Sequence, residues 1–213
     1  DSESGDYGAA GEQSRGHKGA TLNYRKIQDL EYDPRFLRFM QRAEFRDMCA
    51  RVYGAETPIA AFRAMFMNKP AQRGTFLPWH QDRWNWLDRD PLLTLWTALD
   101  PATVENGCVQ VIPGSHKQGV INPEHGSGFL TETQAAEYCT EDQRVHLELE
   151  AGEVALLHNH LLHASDVNRS PQSRRAFSVC YMDARTRSNK GGAFPVIFGE
   201  GALDPDTVAP ATA

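Results

Sequence analysis

Short apolar runs, separated by glycine, proline, asparagine and aspartate, dominate the sequence from Ile59 onward. Six of them stand out: IAAFRAMFMN, LLTLWTAL, CVQVIPG, RVHLELEAG, EVALLHNH and AFSVCYMD. Each has the length and composition of a β-strand that is bounded by turn residues. Several such strands at close spacing favour a sandwich or a barrel, and a jelly roll is among the options. The sequence therefore predicts a mainly β fold.

A helical block precedes the strands, over about residues 33–54. Asp33 followed by Pro34 is a typical N-cap and first-turn pair. The apolar residues at the spacing of one helical face are Phe45, Met48, Cys49 and Val52. Gly54 is expected to end the block. A second, shorter helix or a loop insertion is predicted at 131–142.

The chain of 213 residues has the size of one domain. Residues 1–22 are rich in glycine, serine and charge and are expected to be flexible. Residues 23–200 are predicted to form a single jelly-roll domain. Residues 201–213 are expected to be a polar tail.

Composition narrows the possible partners and compartments. The net charge of -6 argues against nucleic acid as a partner, since phosphate binding needs a basic face. No apolar run approaches the roughly 18 residues of a membrane span. The four cysteines are widely separated and form no CxxC pair, which is typical of reduced thiols. A cytoplasmic protein without a membrane partner is expected, whereas its oligomeric state is not predicted.

Histidines and one aspartate form a candidate metal site. His80 and Asp82 lie two residues apart, so that on a strand their side chains would point to the same side. Three further histidines, at 158, 160 and 163, fall within LLHNHLLHASDVN. Two histidines and one carboxylate are the ligand set of non-heme Fe(II) oxygenases. A solvated turn around HQD, or histidines that only pack in the core, are the alternatives.

An arginine pair follows the distal histidines. Arg174 lies eleven residues after His163, and Arg175 comes next. A lone guanidinium is costly to bury, and its planar fork matches a carboxylate. A metal site beside such an arginine therefore indicates a carboxylate-bearing co-substrate that also chelates the metal. Because neighbouring residues on a strand face opposite ways, a one-residue slip would exchange Arg174 and Arg175.

Four segments together resemble the phytanoyl-CoA dioxygenase family of Fe(II)- and 2-oxoglutarate-dependent oxygenases. They are HQD, LWTALDPATVENGCVQVIPGSHK, RVHLELEAGEVALLHNHLLHASDVN and RRAFSV. The resemblance runs in consistent order from about Asn68 to Met182. It implies a double-stranded β-helix, that is, a jelly-roll or cupin-like core, with flanking helices.

The resemblance also implies roles for individual residues. His80, Asp82 and His163 match the metal ligands, and Arg174 matches the arginine that pairs with the far carboxylate of 2-oxoglutarate. The residues that match the lining of the co-substrate pocket are Gln81, Trp96 and Ser165. The choice of His163 agrees with the chain, since the eleven-residue return to an arginine starts there, while His158 and His160 remain alternatives.

The implied reaction is the hydroxylation of a small molecule, in which O2 is consumed and 2-oxoglutarate is converted to succinate and CO2. Related halogenases replace the carboxylate ligand with a small residue, whereas Asp82 is intact here, which favours hydroxylation. The candidate substrate contacts are Trp84, Arg83, Asn85 and His116. Two other functions remain open: a zinc-dependent jelly-roll hydrolase or isomerase, which would not need Arg174, and a non-catalytic barrel that only binds ligands.

Overall fold

The computed structural model describes residues 4–5, 16–17, 26–74 and 76–208. The flexibility predicted for residues 1–22 falls mostly outside this part of the chain, as do the last residues of the predicted tail. Two short strands within the N-terminal segment, β1 (Ser4–Gly5) and β2 (Gly16–His17), pair in antiparallel fashion.

The other strands and helices follow in chain order. They are β3 (Lys26–Ile27), α1 (Pro34–Met40), α2 (Ala43–Tyr53), β4 (Ile59–Lys69), β5 (Leu77–His80), β6 (Leu93–Ala98), β7 (Val109–Val111), α3 (Glu132–Tyr138), β8 (Val145–Leu147), β9 (Val154–His158), β10 (His163–Ser165), β11 (Arg174–Asp183) and β12 (Val196–Phe198). Each of the six apolar runs contains a strand, as predicted. The strands β5, β10 and β12, of three or four residues each, were not among those runs.

The predicted helical block consists of two helices. The carboxylate of Asp33 accepts hydrogen bonds from the backbone N–H groups of Arg35 and Phe36, which caps α1 as expected. The helical block is interrupted between α1 and α2. The second helix, α2, ends at Gly54, whose φ is 96°. The predicted apolar face is wrong at its last position, because Val52 is 42% exposed. In the 131–142 segment, α3 confirms the helix and has a capping box.

Two antiparallel sheets form the body of the fold. The larger has the strand order β12-β4-β11-β6-β9, with β3 added beside β4, and the smaller has the order β5-β10-β7-β8. One apolar cluster joins residues of both sheets, among them Trp96, Val109 and Ala176. A second cluster packs α1 and α2 against the larger sheet. The two sheets therefore pack against each other through residues of β6, β7 and β11.

The chain after β12 packs against the helical side. Leu203 and Val208 contact the cluster beneath α1 and α2, and Arg38 pairs with Asp206. Part of the predicted tail is thus in contact with the domain, and the division into domains stays a prediction. Among the described residues, no helix is long and apolar enough to cross a membrane.

A buried carboxyl group lies just before α1. Glu31 is 5% exposed, and its Oε2 has no hydrogen-bond partner within the described ranges. Burial raises the pKa of Glu31 from 4.5 to about 7. The folded protein therefore favours the protonated carboxyl group. This contribution to stability is complete below pH 4.5 and is lost as the pH rises through about 7.

We expect Glu31→Gln to raise the free energy of unfolding at pH 8 by about 1–3 kcal/mol, because ionisation of Glu31 favours the unfolded chain at that pH and an amide does not ionise. At pH 4 the variant should gain much less. Denaturant unfolding at the two pH values measures the difference. The exposed Glu141→Gln serves as the control. Equal gains at both pH values would contradict the assignment of the raised pKa to Glu31.

Candidate functional site

The paired strands β5 and β10 bring two of the predicted ligands together. His80 and His163 are direct partners across the two strands, and their ring centroids lie 4.1 Å apart. Asp82 joins them, so that one ligand atom from each of the three residues lies within 4.8 Å of the others. The expectation that His80 and Asp82 share a strand is wrong, since β5 ends at His80. Asp82 lies on the following loop, where its N–H donates to the carbonyl of Asn159 at 2.7 Å.

Backbone carbonyls fix the tautomers of both histidines. Nδ1 of His80 lies 2.8 Å from the carbonyl oxygen of Pro78, and Nδ1 of His163 lies 2.9 Å from that of Leu161. A carbonyl can only accept, so each Nδ1 carries a hydrogen, and in the neutral ring the lone pair is then on Nε2. The two Nε2 atoms lie 3.8 Å and 3.7 Å from the carboxylate oxygens of Asp82. This arrangement is a donor set suited to a divalent metal ion.

Electrostatics keep two of the three candidate ligands, His80 and Asp82, in their metal-binding form. Burial, together with the nearby charge of His163, lowers the pKa of His80 from 6.5 to about 3. Burial raises the pKa of Asp82, but His163, His80 and Arg63 lower it by more, and the net direction is downward. At neutral pH, His80 is therefore neutral and Asp82 is ionised. Neither group has to lose a proton before it binds a cation.

The other two histidines of the cluster lie away from these three residues. Nε2 of His160 lies 3.2 Å from the carboxylate of Asp90, and its backbone N–H donates to Nδ1 of His158. Neither belongs to the group whose ligand atoms converge. The geometry thus favours His163 among the three candidates, and its role as a ligand stays a prediction.

Asn159, which the sequence analysis did not single out, supports the loop that carries Asp82. Its side-chain carbonyl accepts a hydrogen bond from Thr94, its amide donates to the sulfur of Cys180, and its backbone oxygen accepts from Asp82. The side chain is 1% exposed. The sequence shows a polar residue between His158 and His160, but only the fold shows that Asn159 connects the segments that carry Thr94, Cys180 and Asp82.

Arg174 and Arg175 point to opposite faces of the larger sheet, because side chains alternate along β11. Arg174 is 2% exposed and lies opposite Lys69 of β4, and its guanidinium carbon is 5.2 Å from the ring centroid of Trp96. Arg175 is exposed and forms two hydrogen bonds of 2.7 Å with the carboxylate of Asp100. Of the two, Arg174 therefore faces the interior beside Trp96.

A buried asparagine shapes the return from β10 to β11. The side-chain amide of Asn168 donates to the carbonyl oxygens of Lys69 and Gln172, at 2.9 Å and 2.7 Å. Asn168 is 2% exposed. These contacts fix the turn between His163 and Arg174, so the eleven-residue spacing corresponds to a defined change of strand.

Gln81, a predicted pocket residue, is fully buried and holds the neighbouring backbone. Its amide donates to the carbonyl oxygens of Gly119 and His160, both at 2.8 Å, and its Oε1 accepts from the N–H of Ile121. Ser165 is also buried and lies on β10 in the smaller sheet. A contact of either residue with a co-substrate stays a prediction.

The four candidate substrate contacts differ in their surroundings. Trp84 is buried, Asn85 is exposed, and Arg83 donates to the carbonyl oxygen of Pro123 at 3.2 Å. The ring of His116 stacks on that of His158, with centroids 5.0 Å apart. Only Trp84 contributes to a described apolar cluster.

A glycine allows the loop before α3 to lie against the candidate ligands. The carbonyl of Gly128 accepts from the N–H of Gln81, and the next residue, Phe129, stacks on the ring of His80 with centroids 4.7 Å apart. Gly128 has a φ of +73°, and a Cβ there would overlap the carbonyl oxygen of Gln81. Both features require glycine.

We expect Gly128→Ala to lower the free energy of unfolding by about 2–4 kcal/mol, since backbone strain adds to the overlap. Gly114→Ala is the matched control. Gly114 has a φ of +80°, but a Cβ there would meet no atom within 4 Å. Its cost should be only about 1–2 kcal/mol, the penalty of the backbone conformation alone. Equal losses, measured by denaturant unfolding, would show that the contact with Gln81 is unimportant.

The chain is similar in sequence to known proteins. The family model described as phytanoyl-CoA dioxygenase (PhyH) matches residues 3–176. A probable phytanoyl-CoA dioxygenase from Caenorhabditis elegans is 32% identical over 167 residues, which cover 73% of this chain and 53% of the relative. The chain thus spans about half the length of the curated relatives it matches.

Two solved structures are similar in fold. The non-heme monooxygenase ThoJ has a TM-score of 0.69 and 24% identity, over 86% of this chain and 70% of ThoJ. EctD from S. alaskensis, solved with 2-oxoglutarate and 5-hydroxyectoine, has a TM-score of 0.68 and 23% identity, over 79% of this chain and 60% of EctD. The predicted jelly-roll core with flanking helices is confirmed.

Proposed function

Because the chain belongs to the phytanoyl-CoA dioxygenase family, we propose that it is an Fe(II)- and 2-oxoglutarate-dependent dioxygenase that hydroxylates a small molecule. The observation that carries this proposal is the convergence of His80, Asp82 and His163 in a fold that also buries Arg174. A metal site alone would suit several enzyme classes, whereas the buried guanidinium also provides for a carboxylate.

The donor set fits Fe(II). Two neutral imidazole nitrogens and one carboxylate from β5, the following loop and β10 can occupy one face of an octahedron, which leaves about three positions open. When bound, Fe(II) would activate O2, the oxidant of the reaction: one oxygen atom would enter succinate as 2-oxoglutarate loses CO2, and the other would become the new hydroxyl group. The chain itself supplies geometry, charge and the exclusion of water.

Each ligand is held by contacts that do not depend on the metal. The carbonyl oxygens of Pro78 and Leu161 orient the two imidazoles, and Asn159 accepts from the N–H of Asp82. Such contacts fix ring orientation and increase ligand basicity. Phe129 covers one face of the His80 ring and shields it from water. The ligands are thus preorganised.

Arg174 is proposed to bind the far carboxylate of 2-oxoglutarate. A guanidinium can form two parallel hydrogen bonds to a carboxylate, and their strength rises in a buried site. Trp96 supports the guanidinium from beneath. Ser165, on the same strand as His163, is proposed to add a hydroxyl contact, and Gln81 to border the pocket through the loop it holds.

Hydroxylation and a cytoplasmic location are part of the proposal. The intact carboxylate of Asp82 supports hydroxylation over halogenation. All four cysteines are free and buried, which supports a reducing compartment. The substrate is proposed to lie near Trp84, with Arg83, Asn85 and His116 at the edge of the site.

The test is an anaerobic titration. Metal-free protein receives Fe(II) and then 2-oxoglutarate, and the visible charge-transfer band of the chelated complex is recorded. Appearance of the band, followed by succinate formation when O2 is admitted, is the expected result. Absence of both would overturn the proposal. Zinc-dependent hydrolysis and a non-catalytic barrel would then be the functions to test.

A further inference from the structure

An irregularity in the larger sheet turns a cationic side chain towards the candidate metal site. In the β4–β11 ladder, Arg63 pairs with Cys180 and Ala61 pairs with Tyr181, so Phe62 is an extra residue in β4. Such β-bulges re-aim side chains and are frequent beside active sites. Here both Phe62 and Arg63 contact the same residue, Trp84.

Two aromatic rings contact the guanidinium of Arg63. Its central carbon lies 4.3 Å from the ring centroid of Trp84 and 4.9 Å from that of Phe62. The backbone of Arg63 pairs with Cys180, whereas its guanidinium makes no hydrogen bond or ion pair within the described part of the chain. A guanidinium stacked on aromatic rings keeps the N–H donors of its edge for an in-plane acceptor. Arg63 is half-buried, and the structure thus presents a fixed cation whose hydrogen bonds remain to be made.

The position of Arg63 relative to the metal ligands follows from a short chain of contacts. Its partner Cys180 accepts a hydrogen bond from the side chain of Asn159, and the backbone oxygen of Asn159 accepts from Asp82. Arg63 is also among the charges that lower the pKa values of Asp82 and His80. Arg63 and Trp84 therefore lie on the Cys180 side of the site, whereas Arg174 lies further along β11, six residues before Cys180.

The ligands and the co-substrate of the proposed complex do not balance the charge of Arg63. A divalent metal ion, the carboxylate of Asp82, a 2-oxoglutarate dianion and the guanidinium of Arg174 together sum to zero. The cation of Arg63 is not balanced within that set. A buried charge is stabilised by an opposite charge that also satisfies its hydrogen bonds. One further anion, with an apolar body suited to the rings beside it, would complete the site.

We propose that Arg63 binds a carboxylate of the primary substrate, whose apolar part packs against Trp84 and Phe62. This inference rests on the proposed function and adds the substrate class: a small organic acid with an apolar body. The planar fork of Arg63 matches a carboxylate in two parallel hydrogen bonds. The neighbouring tryptophan would position the carbon skeleton beside the metal.

Matched acid and amide pairs test the inference. The probes are 3-phenylpropanoate with 3-phenylpropanamide, and cyclohexanecarboxylate with cyclohexanecarboxamide. Each is titrated calorimetrically, under nitrogen, into protein loaded with Fe(II) and 2-oxoglutarate. The wild type should bind the acid of each pair at least about tenfold more tightly than the amide, the effect of a charge-assisted fork.

Substitutions of Arg63 distinguish the effect of its positive charge from the effect of its planar guanidinium geometry. Arg63→Gln should abolish the preference for the acid, and Arg63→Lys should keep only part of it, because an ammonium lacks the planar fork. Arg38→Gln, on the surface of α1, is the matched control and should behave as the wild type. Thermal unfolding of each variant verifies that it is folded.

The charge-transfer band separates failure of the proposed function from failure of the Arg63 inference. A missing band in the wild type would overturn the proposed function and this inference with it. A normal band together with an acid preference that survives in folded Arg63→Gln would overturn the inference alone. The same holds if the wild type shows no preference for the acids, or if it prefers phenyl phosphate to both of them.

Discussion

Asp82→Ala should weaken Fe(II) binding by at least about 100-fold and reduce succinate formation to background. Loss of a residue that merely supports a ligand already costs about 10–100-fold, and Asp82 is the only carboxylate of the converging group. Without it, two neutral imidazoles would face a dication without a compensating negative charge. Equilibrium dialysis of Fe(II) and a succinate assay with excess 2-oxoglutarate measure the two effects.

A neighbouring carboxylate provides the control for that variant. Asp90 pairs with His160 and lies close to Arg83, but it does not converge with His80 and His163. Asp90→Asn should leave Fe(II) affinity within about threefold of the wild type, the range of small rearrangements. Unchanged Fe(II) affinity and turnover in Asp82→Ala would remove Asp82 from the proposed metal site.

Arg174→Gln should weaken 2-oxoglutarate binding by about 100-fold or more, while Fe(II) is retained. The substitution removes two charge-assisted hydrogen bonds and leaves a carboxylate without a counter-charge in a buried site. Titration of 2-oxoglutarate against the charge-transfer band measures the loss. Equilibrium dialysis of Fe(II) should show little change, because Arg174 is not part of the converging ligand group.

Arg175→Gln is the matched control for this second variant. It removes an exposed ion pair with Asp100, and such pairs contribute little. The affinity for 2-oxoglutarate should therefore change by less than about threefold. If Arg175→Gln reduced the affinity and Arg174→Gln did not, the anion partner would be Arg175. If neither variant changed it, the co-substrate would need reassignment.

The main elements of the fold could be predicted because their signals are local. Apolar runs between turn residues mark β4, β6 and β11, and a single cap marks the start of α1. The short strands β5 and β10 could not be predicted, since three or four residues carry too little periodicity to be distinguished from a loop. The interruption between α1 and α2 could not be predicted either. Gln41, which lies there, donates to the carbonyl oxygens of Ile197 and Leu203, and these contacts depend on the tertiary structure.

The candidate site could be predicted in its residue types more fully than in its geometry. The pair His80 and Asp82 and the distant His163 were visible as a ligand set, but their convergence depends on the register between β5 and β10. The roles of Asn159 and Arg63 were not visible. One joins segments far apart in sequence, and the other owes its direction to a bulge that only the strand pairing reveals.

Gln81, between two of the proposed ligands, has a consequence for motion. Its side chain binds the backbone on both sides of the loop at 119–121 and at His160, and its own N–H binds the segment at Gly128. A displacement of any of these segments must therefore pull on the peptide that connects His80 to Asp82. These loop segments and the proposed ligands are therefore mechanically coupled, so a molecule that orders the loops should also stiffen the proposed metal site.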